Sequence, residues 1–293
     1  MNDKSTKPSR PESMINIEEH IEKVLNVELP SSDNLGRIYD ILNFYFDPKL
    51  IGVDRIDRDR PSLYVGNHGT LGFEGGLIPK VVLKETGMLP RLLSDDMLMD
   101  SPIADNFIKM GQVLAHRDVC RALMQAGHSI MVFPGGAIEA ATKRNQRNKL
   151  VWGDRAGFVR MAMECGFTIT PFAHIGPDDM WDFRVDGDEL AKSPLGRALK
   201  RVLDDKFDPT IIPPIPKGIA GSLLPRPERL YINFGEPLQI APSESIDKND
   251  SAEVLAIQQQ IAKRIDTLME EALLERKADR RNMHWFRRRL TRH

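Results

Sequence analysis

"HSIMVFPGG", residues 128–136, sets an apolar run against a Pro-Gly-Gly stop. Such a run reads as a short buried strand that ends in a tight turn. Helical rhythm surrounds it. Upstream, Val119, Ala122, Leu123 and Ala126 recur at i, i+3, i+4 and i+7, and downstream Phe158, Met161, Ala162 and Cys165 do the same. "FTITPFA" (167–173) then reads as the next strand. Working outward, "SLYVGN" (62–67), "RLLSD" (91–95), "QVLAH" (112–116) and "RLYINFGEPL" (229–238) read as further strands. Helical segments fall at 75–86 and at "SPIADNFIKM", where Ser101 is placed to cap and Pro102 to open a helix. Strands alternating with helices predict an α/β fold: a single layered domain with a mixed, largely parallel sheet flanked by helices.

The ends extend this body. Residues 1 to about 13 are polar and contain proline, the composition of a disordered head. Ile17, Ile21, Val24 and Leu25 form a short helical stripe, and a second runs from Leu35 to Tyr45, stopping before Pro48. After Ser251, the positions Val254, Ile257, Ile261, Ile265, Leu268 and Ala272 mark a long amphipathic helix. The expected organisation is a head and short helix (1–32), an α/β domain (33–245), and an amphipathic C-terminal helix with a basic tail (246–293). The stretch 209–227 holds six prolines and is expected to wander over the surface.

Composition narrows the class. The chain has 293 residues, 41% hydrophobic and 28% charged, enough apolar material for a substantial core. Net charge is −1, yet residues 276–293 carry eight Lys or Arg and one acid, against 33 Lys or Arg and 41 Asp or Glu elsewhere. Two cysteines, Cys120 and Cys165, make no disulfide framework and suit a reducing compartment. No apolar leader follows Met1, and no run nears the ~18 apolar residues of a spanning helix. The expected location is cytoplasmic, peripherally associated with the inner face of the membrane.

Three stretches carry candidate chemistry. "VGNHGTLGFEG" (65–75) places His68 and Glu74 on a glycine-rich corner at the end of a strand. Strand ends in α/β sheets line the crevice where ligands bind. A neutral imidazole there can take a proton from a hydroxyl while a carboxylate fixes its tautomer. A structural histidine in a glycine-rich turn is the competing reading. "VFPGGAIEA" (132–140) resembles a cradle of backbone N–H groups for a phosphate or an oxyanion, though for the stretch alone a simple tight turn is the commoner case. Arg117, in "GQVLAHRD" (111–118), follows a strand and is a candidate anion ligand; a surface arginine at a helix start is the commoner case. The chain lacks a G-x-S-x-G elbow, an H-E-x-x-H pair, a G-x-G-x-x-G fingerprint and cysteine spacing for zinc. No metal and no cofactor are expected.

In this order, the stretches resemble the glycerolipid acyltransferase family, the PlsC-like group. Its motifs correspond here to Asn67-His68, Gly111 with Arg117, Phe133-Pro134-Gly135-Gly136, and the strand Ile169-Thr170-Pro171. The resemblance covers about residues 35–240. "FPGGAIEA" and "LVWGDRAGFVRMAMECGFTITPF" (150–172) are most similar to the branch of transmembrane neutral-lipid acyltransferases and phytyl ester synthases. In that branch Pro-Gly-Gly, with a glutamate three residues on (Glu139), replaces Pro-Glu-Gly. Two departures stand out. The acid after His68 is Glu74, with five residues between, where the family places Asp after four; Asp95 or Asp96 is the alternative partner. The position often held by arginine is Ile138, leaving Arg144, Arg147, Lys149 or Arg155 to supply the charge.

The resemblance implies transfer of a fatty acyl group from acyl-CoA or acyl carrier protein to a lipid hydroxyl, on a lysophospholipid, an acylglycerol or a long-chain alcohol. His68 and Glu74 are its implied catalytic pair. Asn67, Arg117, Phe133, Pro134, Gly135, Gly136, Glu139 and Arg155 are its implied substrate-binding residues, with backbone N–H groups of Gly69, Gly135 or Gly136 as oxyanion donors. The thioester donor, the lipid acceptor and a membrane surface met by the basic tail are the expected partners; nucleic acid is not. Within the tail, Met283, Phe286 and Leu290 are expected to share an apolar face beside Trp285. An inactive lipid-binding relative and a thioester or lipid hydrolase are the rival readings.

Overall fold

The computed structural model describes residues 15–33, 36–141, 146–185, 187–194, 214–241, 251–283 and 285–291. The head before residue 15 and Arg144 therefore lie outside the described residues. Among the described residues there are nine strands: β1 (Lys49–Ile51), β2 (Ser62–Gly66), β3 (Arg91–Ser94), β4 (Gln112–Leu114), β5 (Ile130–Val132), β6 (Thr168–Ile175), β7 (Asp182–Val185), β8 (Ile215–Lys217) and β9 (Tyr231–Phe234). The helices are α1 (Ile17–Asn26), α2 (Gly36–Phe46), α3 (Ile78–Thr86), α4 (Asp96–Met99), α5 (Ala104–Lys109), α6 (Arg117–Gln125), α7 (Gly136–Ala140), α8 (Gly157–Cys165), α9 (Gly187–Lys192), α10 (Ser251–Asp279) and α11 (Trp285–Leu290).

Seven strands form one sheet in the order β1-β9-β6-β2-β5-β3-β4. β2 to β6 run parallel, β9 is antiparallel to β6, and β1 is parallel to β9. The sheet is thus mixed and largely parallel, as the alternation predicts. All five residues of β2 are buried, and so are seven of the eight in β6. That fits central strands covered on both faces.

Two apolar layers sandwich the sheet. One gathers Leu63, Val65, Val119, Leu123, Val159, Ile169, Ile261, Ile265 and Leu268. The other gathers Tyr64, Leu77, Ile78, Val82, Phe133, Phe172, Ile232 and Phe234. Neighbours in β2 (Leu63, Tyr64, Val65) fall in alternate layers, as the period-two pleat requires. The C-terminal helix α10 belongs to this body. Its buried positions Val254, Ile261, Ile265, Leu268 and Ala272 lie in the first layer, against the sheet.

Three elements differ from the sequence expectation. The helix after Ser101 begins at Ala104, because the Ser101 hydroxyl bonds back to the Leu98 carbonyl (2.7 Å) and caps nothing. The proline-rich stretch, in its described part, is held to the body rather than wandering. β8 pairs with β7 in a two-stranded antiparallel sheet, the Trp181 indole donates to Leu223 O (3.0 Å), and Arg226 pairs with Asp182 (2.6 Å). Pro216 is tolerated there because the ribbon has open edges. Finally, Met283 is buried in the core and does not share an exposed face with Leu290; the Phe286 side chain lies outside what is described.

Candidate active site

β2 delivers His68 to the sheet's carboxyl edge, just past Gly66. The chain then turns through a 3-10 segment, Thr70–Gly76, in which Leu71 (φ 62°) and Gly72 (φ 65°) are left-handed. This turn brings Glu74 back under the imidazole. Its Oε1 bonds His68 Nδ1 and also accepts from Gly69 N–H (3.0 Å). Glu74 is fully buried, while the His68 side chain keeps 17% of its surface. With Nδ1 engaged, Nε2 is the nitrogen left to a substrate; it makes no hydrogen bond among the described residues. Phe133 stacks on the ring, centroids 4.8 Å apart and planes 15° from parallel.

The extra methylene of Glu74 and its displaced position therefore do not prevent contact, because the left-handed pair at 71 and 72 tightens the turn. The alternatives are placed elsewhere. Asp95 caps α4 by accepting from Met97 N–H (3.1 Å), and Asp96 lies within that helix. Gly72 is fixed by space as well as by φ: a Cβ there would lie 3.0 Å from His68 Cε1. Gly72→Ala is expected to displace the imidazole and lower turnover by about 10²-fold while the fold persists. Circular dichroism beside a turnover assay checks this.

Electrostatics favour a charged carboxylate beside an imidazole that holds its proton tightly. Burial depresses the His68 pKa, but Glu74, with Glu139 and Asp178, outweighs it, and the net shift is upward. Burial raises the Glu74 pKa, yet His68, His174 and the Gly69 N–H bring it below the usual carboxylate range.

Several groups were not legible beforehand. His174 ends β6, the neighbour of β2. Its Nε2–H donates to Asn67 O (2.7 Å), and the same nitrogen lies 3.9 Å from Glu74 Oε1. Burial depresses its pKa against the raising influence of Glu74 and Asp178, which favours the neutral ring. Asp178 accepts from Thr70 N–H (2.9 Å), Thr70 O–H (2.9 Å) and Asn148 N–H (2.7 Å), which ties the His68 corner to a second loop. The sequence signal for His174 is its place directly after the strand read at 167–173; the register, with Gly66 paired to Phe172, sets positions 68 and 174 side by side.

Two residues expected to bind substrate are engaged otherwise. The Asn67 side chain pairs with the backbone of His174 in both directions, Oδ1 with N–H (2.9 Å) and Nδ2 with C=O (2.9 Å), extending the sheet by one rung. Glu139, buried and pushed up to about 7 chiefly by desolvation, accepts from His68 N–H (3.0 Å) and Val151 N–H (3.1 Å). It joins the Pro-Gly-Gly turn, the histidine loop and the 146–152 loop. Gly135 is glycine because a Cβ there would lie 2.1 Å from Glu139 Oε2. Glu139→Ala is expected to destabilise the fold by roughly 2–4 kcal/mol, since each buried donor left unpaired costs ~1–3 kcal/mol. Thermal melting measures it.

Arg117 is not brought to the site. It begins α6, after β4, three strands from β2 and so about 14 Å away. There it forms an exposed ion pair with Glu164 (2.8 Å). The arginine at the Pro-Gly-Gly turn is Arg155, exposed, donating to Gly135 O (2.5 Å) and Pro134 O (3.5 Å). Arg147 is held by Trp181 O (2.8 Å) and stacks over Phe183, and Lys149 is exposed. Of the three backbone donors, Gly69 N–H is bound to Glu74 and Gly136 N–H to Phe133 O (3.0 Å). Among the described residues Gly135 N–H has no acceptor.

A match to the family described as diacylglycerol acyltransferase spans residues 101–278. The chain belongs to that family. The match includes the Pro-Gly-Gly turn, Glu139, Arg155 and His174; His68 and Glu74 precede it. Phytyl ester synthase 2, chloroplastic, of Arabidopsis thaliana is 26% identical over 78% of the chain and 34% of its own length. An uncharacterized protein of Mycobacterium tuberculosis is 29% identical over 85% of the chain and 68% of its own length. The human "DGAT1/2-independent enzyme synthesizing storage lipids" is 26% identical over 77% and 64%. The chain thus spans about a third of the length of the phytyl ester synthases it matches. Among solved structures, the 1-acyl-sn-glycerophosphate acyltransferase PlsC from Thermotoga maritima aligns over 79% of the chain and 78% of its own, with TM-score 0.47 and 15% identity.

Proposed function

We propose that this member of the family transfers a fatty acyl group from a thioester, acyl-CoA or acyl carrier protein, to the hydroxyl of a neutral-lipid acceptor such as an acylglycerol or a long-chain alcohol. The observation that carries the reading is the buried Glu74 carboxylate on His68 Nδ1, with Nε2 left to a substrate.

As the acceptor oxygen attacks the thioester carbonyl, Nε2 takes its proton. Glu74 stabilises the imidazolium that forms, and neutral His174 and Glu139 hold the loop that carries both groups. The tetrahedral oxyanion is met by Gly135 N–H, a kind of donor worth ~2.7–4 kcal/mol. Collapse breaks the carbon–sulfur bond, and the leaving thiolate recovers the proton from the imidazolium. No acyl-enzyme is needed. Arg155, beside the turn, binds an anionic group of the donor. The names of the relatives, phytyl ester synthase and an enzyme synthesizing storage lipids, favour a neutral acceptor over a phosphorylated one.

Lipid mass spectrometry of cells overproducing the protein tests the acceptor class. Accumulation of a neutral ester, absent with His68→Ala, is expected. A rise confined to phospholipids would overturn the acceptor assignment.

A further inference from the structure

The catalytic corner shares its end of the sheet with a second feature, one that the chemistry above does not use. Lys49 of β1, Tyr231 of β9 and Ile175 of β6 are register partners. The segments entering β1 and β9, namely the end of α2 and residues 223–230, therefore lie at the same edge as His68. α10 ends there as well, since the Tyr231 hydroxyl donates to Asp279 (2.9 Å).

These segments are fastened together by side-chain hydrogen bonds. Arg287 of α11 donates to Tyr45 O (3.0 Å) and Pro227 O (2.7 Å), and Tyr45 O–H donates to Pro225 O (2.7 Å). Close in sequence to the bonded residues are exposed apolar side chains: Phe44 at 84% beside Tyr45, with Ile41 one turn before it, Leu223 and Leu224 just before Pro225, and Trp285 at 58%, two residues before Arg287. Bonds that bring three segments carrying such exposed apolar side chains to one edge make this edge a candidate interaction site. Arg288 and Arg289 on α11, and Arg280 and Arg281 in the turn before it, are exposed. The acids acting on Arg287 are Asp47, which pairs with Arg229 and lies 3.8 Å from Arg287, and the buried Glu228; Asp40 on α2 is exposed. Beneath the surface an aromatic column, Tyr45–Phe46–Phe73–Trp181, with centroids 4.7–5.9 Å apart, leads to the residue before Glu74.

We propose that this face, formed by the end of α2, Leu223–Leu224 and α11, docks on an anionic phospholipid bilayer and sets the His68 corner against it. Apolar side chains reach past the headgroups while arginines meet lipid phosphates, the pattern of interfacial helices. Arg276 and Arg287 take no part, being bound to Asp179 (2.7 Å) and to backbone carbonyls. The surface is therefore more than a basic tail. Passage of the acceptor along it rests on the acyl-transfer reading; docking does not.

Vesicle cosedimentation of the full chain tests the proposal, with phosphatidylglycerol–phosphatidylcholine against pure phosphatidylcholine vesicles. Wild type is expected to bind the anionic vesicles preferentially. Arg288→Glu with Arg289→Glu, and separately Phe44→Ser with Trp285→Ser, should each weaken binding at least about tenfold. Trp152 and Trp181 are buried, so a blue shift of emission on adding vesicles, absent in Trp285→Phe, should report insertion. Binding unchanged by either pair, or no binding by wild type, would overturn the proposal. So would a wild-type dimer in solution that the Phe44, Trp285 pair dissolves, because a second copy would then own the face. Transfer to a short, monomeric alcohol should be unaffected in these variants. Vesicle binding without ester formation from any acceptor would leave the surface standing and remove the acyl-transfer reading.

Discussion

Replacing His68 by alanine is expected to lower acyl transfer by about 10²- to 10⁴-fold, the range that a positioned general base contributes. The expected effect lies in turnover. Phe133 and the Pro-Gly-Gly turn remain in place, so the donor still binds and its KM changes little. Stability should also survive, because the side chain is partly open and its partner Glu74 retains the Gly69 N–H. Glu74 would lose the proton-sharing imidazole, and burial would then push its pKa upward so that it takes up a proton. Steady-state kinetics with a thiol-trapping dye, beside a melting curve, separate the two contributions.

Glu74→Gln carries the second large effect. In His–carboxylate pairs the neutral isostere keeps the geometry but loses the charge and the tautomer, at a cost of ~10⁴ in kcat. Here it carries a pH signature with a definite sign. Catalysis needs neutral His68, whose pKa stands above its ordinary 6.5 because Glu74 outweighs the lowering by burial. The wild-type rate should therefore fall as pH drops through a value above 6.5. Removing the negative charge leaves burial in command, so the acid limb of Glu74→Gln should move to lower pH. Glu74→Asp should retain the raised limb with a reduced rate, since the shorter acid keeps its charge but reaches the ring less well. A pH profile of kcat/KM for the three proteins decides it. An unmoved acid limb would mean that Glu74 does not tune the base.

The layered fold was readable because each central strand is apolar and each covering helix repeats at 3.6. β1, β7 and β8 were not, because they are only partly buried and mix polar residues or proline into the run. His68 was readable from its place at a strand end. Its partner was readable only as a nearby acid, because contact depends on Leu71 and Gly72 turning left-handed, and a leucine does not announce that conformation. Arg117 misled for the opposite reason. Its local setting, a strand followed by a helix start, is shared by every βα unit of the sheet, and only the strand order shows it to be three strands from the histidine. Asn67 and Glu139 were found by motif, but their hydrogen bonds reveal that they build the corner. His174 and Asp178 belong to distant positions in the chain that only the β2–β6 pairing brings in.

The stoichiometry of acyl transfer by the purified protein is the most direct test of the His68–Glu74 mechanism. Acyl-CoA is supplied with and without a lipid alcohol, and free thiol and ester are counted together. Thiol release is expected to depend on the acceptor, to match the ester formed mole for mole, and to disappear in His68→Ala. Thiol release of equal rate without acceptor would make the protein a hydrolase. Absence of release with acylglycerol, lysophospholipid and long-chain alcohol alike, or a His68→Ala variant as active as wild type, would contradict the mechanism.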